Sequence, residues 1–338
     1  MDIKELGESG LINRIAAAYG AGDPSIACGI GDDAAALRLT EHHLLLTTCD
    51  LLLEHVHFDL GLTDALSLGK KSLAVNLSDI AAMGGIPRFF LVSLGLPPHL
   101  PLRFVDDLYL GMMTLAGHYN TRLAGGDTNA SPLQLVIDIT VMGEIPPDQA
   151  IRRCGARGGD SIWVTGTLGD SSLGLNLLRR ERENALRSPF KTLAAHHLTP
   201  VPRVREGRML AENHIASSMI DVSDGLLADL SRLLAASNKG ATIALDRLPL
   251  SEDFLHCPLA GSERRIDYAL SGGEDYELLF TVSINREDEL LKLAEGFSVP
   301  VTKIGEITDA GGLVVLDSKL QPYDIGKLGF DHFSSAGK

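Results

Sequence analysis

The chain has 338 residues, 45% hydrophobic and 22% charged, a globular balance with material for two domains. Its 44 acidic side chains outnumber 30 basic ones, giving a formal net charge of −14. That argues against a nucleic-acid-binding face and against anchoring on an anionic membrane, but not against phosphorylated substrates, which acidic sites hold through divalent cations.

Residues 5–20 carry Leu11, Ile12, Ile15, Ala16 and Tyr19 at the spacing of an amphipathic helix. Gly29-Ile30-Gly31-Asp32-Asp33 reads as a glycine turn with two adjacent carboxylates. A β-like run over 43–48 is expected to end at Cys49-Asp50, with Glu54, His55 and His57 in a polar loop. A helix is predicted over 64–83, closed by Gly84-Gly85. Leu73, Leu77 and Ile80 share one face of it, while Asn76 and Asp79 share another. Asp79 is either solvated near the helix end or buried with a partner, since an unpaired buried carboxylate is costly. Asn76 either orients Asp79 or caps local backbone.

A strand over 89–96 and a helix over 102–119 come next. Residues 123–129, Leu-Ala-Gly-Gly-Asp-Thr-Asn, read as a strand end followed by a glycine turn, and 133–141 as a strand. The glycine- and proline-rich stretch 143–159 is the expected domain boundary, giving domains of 1–148 and 149–338. Beyond it, strands are expected over 161–167, 217–222, 242–245, 276–282 and 301–307, and helices over 169–180, 204–214, 225–236 and 286–296. Ser223 or Asp224 is expected to N-cap the 225–236 helix. Residues 181–202 show only a broken helical pattern. The interleaving of strands and helices gives a mixed α/β and α+β class.

Cys28, Cys49, Cys154 and Cys257 are far apart and form no CxxC pair, as expected of reduced thiols. The acidic start Met1-Asp2-Ile3-Lys4-Glu5 lacks a signal-peptide core. The most apolar run, 89–102, is broken by Pro97, Pro98 and Pro101, so no membrane span is expected and the expected compartment is the cytoplasm.

Asp32, Asp33, Asp50, Asp127, Asp221 and Asp224 all sit where a glycine turn or strand end meets the next element, and Asp79 joins them from a helix. Each alone is ordinary turn chemistry. Together they are a candidate oxygen-ligand set for hard cations such as Mg²⁺. Other nucleotide signatures fail. Gly69-Lys70-Lys71-Ser72 lacks the upstream glycine of a P-loop, and Gly29–Ala34 would set two carboxylates where a pyrophosphate belongs. There is no kinase motif set, no GxSxG and no HExxH.

Taken in order, GIGDDAA (29–35), TTCD (47–50), AVNLSDIAAMGG (74–85), GGDT (125–128), RRCGARGGDSIWVTGTLGDS (152–171), DVSDGL (221–226) and SGGEDYELLF (271–280) resemble the thiamine-monophosphate kinase family. That family shares a superfamily with aminoimidazole ribonucleotide synthetase and selenophosphate synthetase. The resemblance implies an N-terminal α/β domain that dimerises through its sheet, and a C-terminal α+β domain that completes the site. It implies ATP as co-substrate and several Mg²⁺ ions. By motif position, Asp33, Asp50, Asp79, Asp127, Asp221 and Asp224 match metal ligands, with Thr48 assisting. Gly126, Asp127, Tyr109, Arg153 and Ser223 match ATP contacts. His57, Glu274 and Phe330 match the thiamine-phosphate side. Asp79, Asp127 and Arg153 carry the catalytic roles. Cys49 departs from the hydroxyl residue usual there, and a thiol is a poor Mg²⁺ ligand.

The implied reaction is direct in-line transfer of the ATP γ-phosphoryl group to thiamine monophosphate, without a general base or a phospho-enzyme. Its rivals are another ATP-dependent synthetase of the superfamily and a non-catalytic nucleotide- or metal-binding protein. A selenophosphate synthetase would carry a reactive Cys near its N-terminus, whereas the first cysteine here is Cys28.

Overall fold

A computed structural model describes residues 24–38, 42–259, 265–326 and 328–331, with Gly10, Ile12, Asn13, Ala17 and Thr40. The helix expected over 5–20 lies mostly outside the described residues.

The first half is built on one six-stranded sheet. Its strands are β1 (Ile26–Cys28), β2 (Ala35–Arg38), β3 (Leu44–Leu53), β4 (Ile86–Leu96), β5 (Arg122–Ala130) and β6 (Val136–Ile145), in the order β1-β2-β3-β6-β4-β5. Only β4 and β5 run parallel. Two helices, α1 (Ala65–Ala82) and α2 (Leu102–His118), fill the connections around β4. Asp64 caps α1, its Oδ1 accepting from Ser67 N at 2.7 Å. A Cβ on Gly69 would lie 1.9 Å from Leu108 O, and one on Gly111 2.0 Å from Leu66 O, so α1 and α2 cross backbone to backbone.

Two expectations change here. β3 does not end at Cys49-Asp50; all ten of its residues pair with β6. Its alternation sends Leu44, Leu46 and Leu52 into the core, and Thr48 to the same side. The 123–129 stretch is strand β5 rather than a turn, and Gly126 is needed because a Cβ there would lie 1.8 Å from Val92 O.

The second half carries a second six-stranded sheet, ordered β12-β9-β11-β7-β10-β8. These are β7 (Ser161–Thr165), β8 (Ala216–Asp221), β9 (Gly240–Ala244), β10 (Leu278–Val282), β11 (Val301–Thr308) and β12 (Gly312–Leu316). Helices α3 (Asp170–Glu181), α4 (Lys191–Leu198), α5 (Val204–Glu212), α6 (Leu226–Ser237), α7 (Glu252–His256), α8 (Arg265–Ser271) and α9 (Glu287–Ala294) complete it. Central strands β7 and β10 are buried at every position. Trp163, Met219, Leu278 and Phe280 join the core that contains α1 and the first sheet. Ile162, Val164, Ile220 and Leu279 join a second core with α3 and α6. The two halves are therefore welded along one face of the second sheet, with α1 at the seam.

Position on that seam explains α1. Fourteen of its 18 residues are buried, including Ser72, Asn76 and Ser78. A helix enclosed on nearly all sides loses the one-sided hydrophobic stripe of a surface helix, and its polar residues must find partners inside.

Candidate functional site

Those partners define the site. The Thr48 hydroxyl on β3 donates to Asp79 Oδ2 on α1 at 2.5 Å. Asn76 Oδ1 accepts from Asp50 N at 3.1 Å, and its Nδ2 donates to Ser72 O at 3.2 Å. Asn76 therefore ties β3 to the helix, and its side-chain hydrogen bonds among the described residues go to Asp50 and Ser72 rather than to Asp79. The Ser78 hydroxyl donates to Asp221 Oδ2 at 2.6 Å, tying α1 to the end of β8. A helix with rotamers locked by such bonds is a rigid mount for a carboxylate.

Around α1, carboxylate oxygens of Asp33, Asp79 and Asp221 come within 4.8 Å of one another. They arrive from three separated parts of the chain. Burial, then the neighbouring charges of Asp50, Asp221 and Asp33, raises the Asp79 carboxyl well above the ordinary range. Asp221 is raised likewise by burial and Asp33, against the Ser78 hydrogen bond. Asp50 is pushed up to about 6 by burial, then by Asp224 and Asp138. Asp50 and Asp224 extend this cluster: Asp50 is the strongest neighbouring charge on Asp79, and Asp224 the strongest on Asp50. The Arg153 guanidinium grips Asp33 in a fork, Nε to Oδ2 at 3.1 Å and Nη2 to Oδ1 at 2.9 Å. Burial opposes its charge, but the Asp33 pairing raises its pKa further. Its backbone N donates to Asp32 Oδ1 at 3.2 Å.

Asp224 is held by Arg232 at 2.6 Å. Neither it nor Ser223 caps α6. Gly225 occupies the N-cap position, and the buried Asp229 carboxylate accepts instead from the N–H groups of Ser223, Asp224 and Gly225. These three N–H groups precede the helix, so Asp229 braces the incoming turn rather than capping the first helical N–H groups.

Glu274 and Phe330, the residues expected on the thiamine-phosphate side, meet this turn. Glu274 N donates to Ser223 O at 2.7 Å, and Phe330 N to Asp224 O at 3.0 Å. Glu274 has φ 68° and Tyr276 φ 52°, two left-handed residues around Asp275. Such conformations persist where the surroundings over-determine them. Asp275 accepts from Gly169 N and Ser171 N at the start of α3, and Glu277 takes the Arg203 fork. The Glu274 carboxylate lies 2.8 Å from Lys71 Nζ and 3.2 Å from His197 Nδ1. Burial opposes its charge, yet Lys71, His197 and His57 hold its pKa below the usual value. Burial, then Lys71, pushes His197 down to about 3, so a neutral ring faces Glu274, and its Nδ1 shares a hydrogen bond with the Ser171 hydroxyl at 3.1 Å. Glu274, Lys71, His197, His57 and Arg179 line one cavity of about 230 Å³ with Val56, Phe58 and Leu62.

Three expected residues lie elsewhere in the chain. Across the first sheet, Leu51 pairs with Asp138, Asp138 with Ser93, and Ser93 with Asp127. At ~4.8 Å per strand, Asp127 is roughly 14 Å from β3. It also points to the face that carries Leu51, not the α1 face that carries Thr48. Gly126 lies beside it, and Tyr109 is half-buried on α2, which packs near β5. Strand order, not loop flexibility, separates them from the carboxylates. Conversely, Lys71, Ser78, His197, Asp229 and Arg232 belong to the site without having stood out in sequence. The one available signal was Lys71 eight residues before Asp79, two turns along one helix face.

Two family models match the chain: AIR synthase related protein, N-terminal domain, over 31–145, and AIR synthase related protein, C-terminal domain, over 157–318. The chain is 39% identical to the thiamine-monophosphate kinase of Salmonella typhimurium strain LT2, over 97% of this chain and 99% of the relative. It is 40% identical to that of Bacillus subtilis strain 168, over 91% and 94%. The solved structure of AaThiL complexed with AMPPCP and TMP superposes with a TM-score of 0.85 at 34% identity, covering 98% of this chain and 99% of that one. The chain therefore belongs to the AIR synthase related proteins and, among them, to the thiamine-monophosphate kinase family.

Proposed function

We infer that the protein phosphorylates thiamine monophosphate with ATP, giving thiamine diphosphate and ADP. Full-length similarity to thiamine-monophosphate kinases supports this. The observation that carries the chemistry is the convergence of Asp33, Asp79 and Asp221 at the seam between the two halves. In the reaction an oxygen of the acceptor phosphate bonds to the γ-phosphorus, the bond to the β–γ bridging oxygen breaks, and ADP leaves. The acceptor is already ionised at neutral pH, its second pKa lying near ~6, so no general base is required. Positioning and charge neutralisation then carry the rate.

The donor set fits Mg²⁺: carboxylates and the Thr48 hydroxyl, all hard oxygens, without imidazole or thiolate. Asp33, Asp79 and Asp221 would hold it, with Asp50 and Asp224 serving a further ion. Bound there, Mg²⁺ supplies positive charge to the phosphates of both substrates. Arg153 adds a permanent guanidinium at the same place, oriented by Asp33. Glu274, with its charge balanced by Lys71, and His57 form the acceptor cavity. Phe330 offers a half-exposed ring beside the same turn for the thiamine rings.

A homodimer is part of this reading. The outer face of the first sheet leaves Leu51 51% and Phe89 47% exposed, and β5 is an exposed edge. A second copy on that face would give Gly126, Asp127 and Tyr109 a neighbour from which to act on ATP. Residues 1–148 then supply the metal and ATP side, and 149–338 complete the site. Among the described residues no helix is long and apolar enough to cross a membrane; a cytoplasmic location is proposed with that. The test is turnover: purified protein with ATP, Mg²⁺ and thiamine monophosphate yields ADP and thiamine diphosphate in equal amounts. ADP without thiamine diphosphate would favour another synthetase of the superfamily.

A further inference from the structure

We propose that Asp229 is a positioning residue that fixes the 221–225 turn, and with it the distance between the metal-side carboxylates and the acceptor side. The proposal rests on the phosphotransfer reading above.

The turn has two lines of backbone groups, and both are fully used. On its inner side the N–H groups of Ser223, Asp224 and Gly225 point to one oxygen, Asp229 Oδ2, at 3.0, 3.0 and 3.1 Å. On its other side the carbonyls of Val222, Ser223 and Asp224 accept from Tyr276, Glu274 and Phe330 at 2.8, 2.7 and 3.0 Å. Pulling three N–H groups to one point turns the three carbonyls outward, where the acceptor-side segments dock. The second oxygen, Asp229 Oδ1, accepts from Arg232 Nη1 at 2.6 Å, and Arg232 Nη2 reaches Asp224 Oδ2 at 2.6 Å. One buried carboxylate thus sets the backbone of the turn directly and the Asp224 side chain through Arg232.

A helix cap takes one or two N–H groups of the first turn, whereas all three here precede α6. These bonds and the arginine bridge to a metal-side carboxylate go beyond a cap. Partners that orient metal ligands are worth about 10- to 100-fold in metal affinity when removed.

The experiment compares full-length wild type, Asp229→Asn and Arg232→Lys. Mg²⁺ affinity is measured by calorimetry without nucleotide, and KM is measured separately for ATP and for thiamine monophosphate. Asp229→Asn is expected to keep its circular dichroism spectrum, lose about 10-fold in Mg²⁺ affinity, and raise the acceptor KM ~5-fold or more with the ATP KM less affected. Arg232→Lys keeps the charge but cannot span both carboxylates. It is expected to weaken Mg²⁺ binding by ~3-fold or more and to leave the acceptor KM near wild type. A folded Asp229→Asn with Mg²⁺ affinity and acceptor KM within about twofold of wild type overturns the proposal. Should that variant not fold, unchanged Mg²⁺ affinity in Arg232→Lys overturns it. Wild type that neither binds Mg²⁺ nor makes thiamine diphosphate contradicts the phosphotransfer reading itself.

Discussion

The Thr48 hydroxyl and the Asp79 carboxylate lie 2.5 Å apart, joining the middle of β3 to the last turns of α1. The bond orients Asp79 toward Asp33 and Asp221 without neutralising it, and burial with like charges raises its pKa well above normal. A group whose folded pKa is raised contributes stability below its unfolded pKa and loses it as pH rises through the folded value. The metal-free protein is therefore expected to be destabilised at neutral and alkaline pH by this cluster. Asp79→Asn should raise the unfolding midpoint in EDTA at pH 8 by about 2 °C or more, the scale of a ~1 kcal/mol change in a large chain. It should approach wild type at pH 4. The same variant should lose ~100-fold or more in activity. Thermal unfolding in EDTA and steady-state rates check the two halves. A fully active Asp79→Asn would remove Asp79 from the site.

Buried Lys71 pairs with the partly exposed Glu274, and both line the cavity proposed for the acceptor. Removing one partner of such a pair strands the other, at about 3–5 kcal/mol. Lys71→Met is expected to destabilise by roughly 3 kcal/mol, and Lys71→Met with Glu274→Gln to recover a large part of that. Urea unfolding of wild type, Lys71→Met, Glu274→Gln and the double variant measures the coupling. The Glu274 pKa is depressed, so the pair's contribution is present above the ordinary carboxylate range and lost as pH falls through the folded value.

His197 adds an acid-side signature. Its folded pKa of about 3 lies below the unfolded value of ~6.5. The unfolded chain takes up the proton first, so stability is full above pH ~6.5 and falls on acidification, by up to ~1.4 kcal/mol per pH unit. His197→Gln should flatten this slope between pH 6.5 and 5. An unchanged slope would mean that another group carries it.

Phe330 is 42% exposed, and its backbone N–H anchors it to Asp224 O. Phe330→Ala should raise the acceptor KM about 10-fold, a loss of ~1.4 kcal/mol, and leave the ATP KM unchanged. An unchanged acceptor KM would place the thiamine rings elsewhere.

The exposed sheet face predicts association. Leu51→Glu with Phe89→Glu sets charges on the face where a second copy would pack. Light scattering is expected to give a dimer for wild type and a monomer for the double variant. A monomeric wild type would leave that face without this role.

Much of the fold was legible because periodicity survives wherever one side of an element is buried. The helix over 64–83 and the strands over 161–167 and 217–222 match α1, β7 and β8 within about two residues. The errors came where pairing partners decide. β3 continues through Asp50 because β6 lies beside all ten residues. β5 keeps its glycines in a strand because β4 packs against its backbone. In the site, Asp33, Asp79 and Asp221 shared a motif pattern, but only the fold brings them within 4.8 Å. Asp127 shared the same pattern and does not join them. Lys71 and His197 were hidden because each looks like an ordinary helix residue until Glu274, far along the chain, arrives between them.

Transfer of label from γ-labelled ATP to thiamine monophosphate, followed across a Mg²⁺ titration for wild type and Asp79→Asn, tests the central claim most directly. The expected result is label in thiamine diphosphate and none on the protein, with wild-type rates saturating in Mg²⁺. Asp79→Asn should be slower by about 100-fold at low Mg²⁺. Label transfer that persists in EDTA, or equal rates for the two proteins at low Mg²⁺, would contradict a reaction built on the Asp33–Asp79–Asp221 cluster.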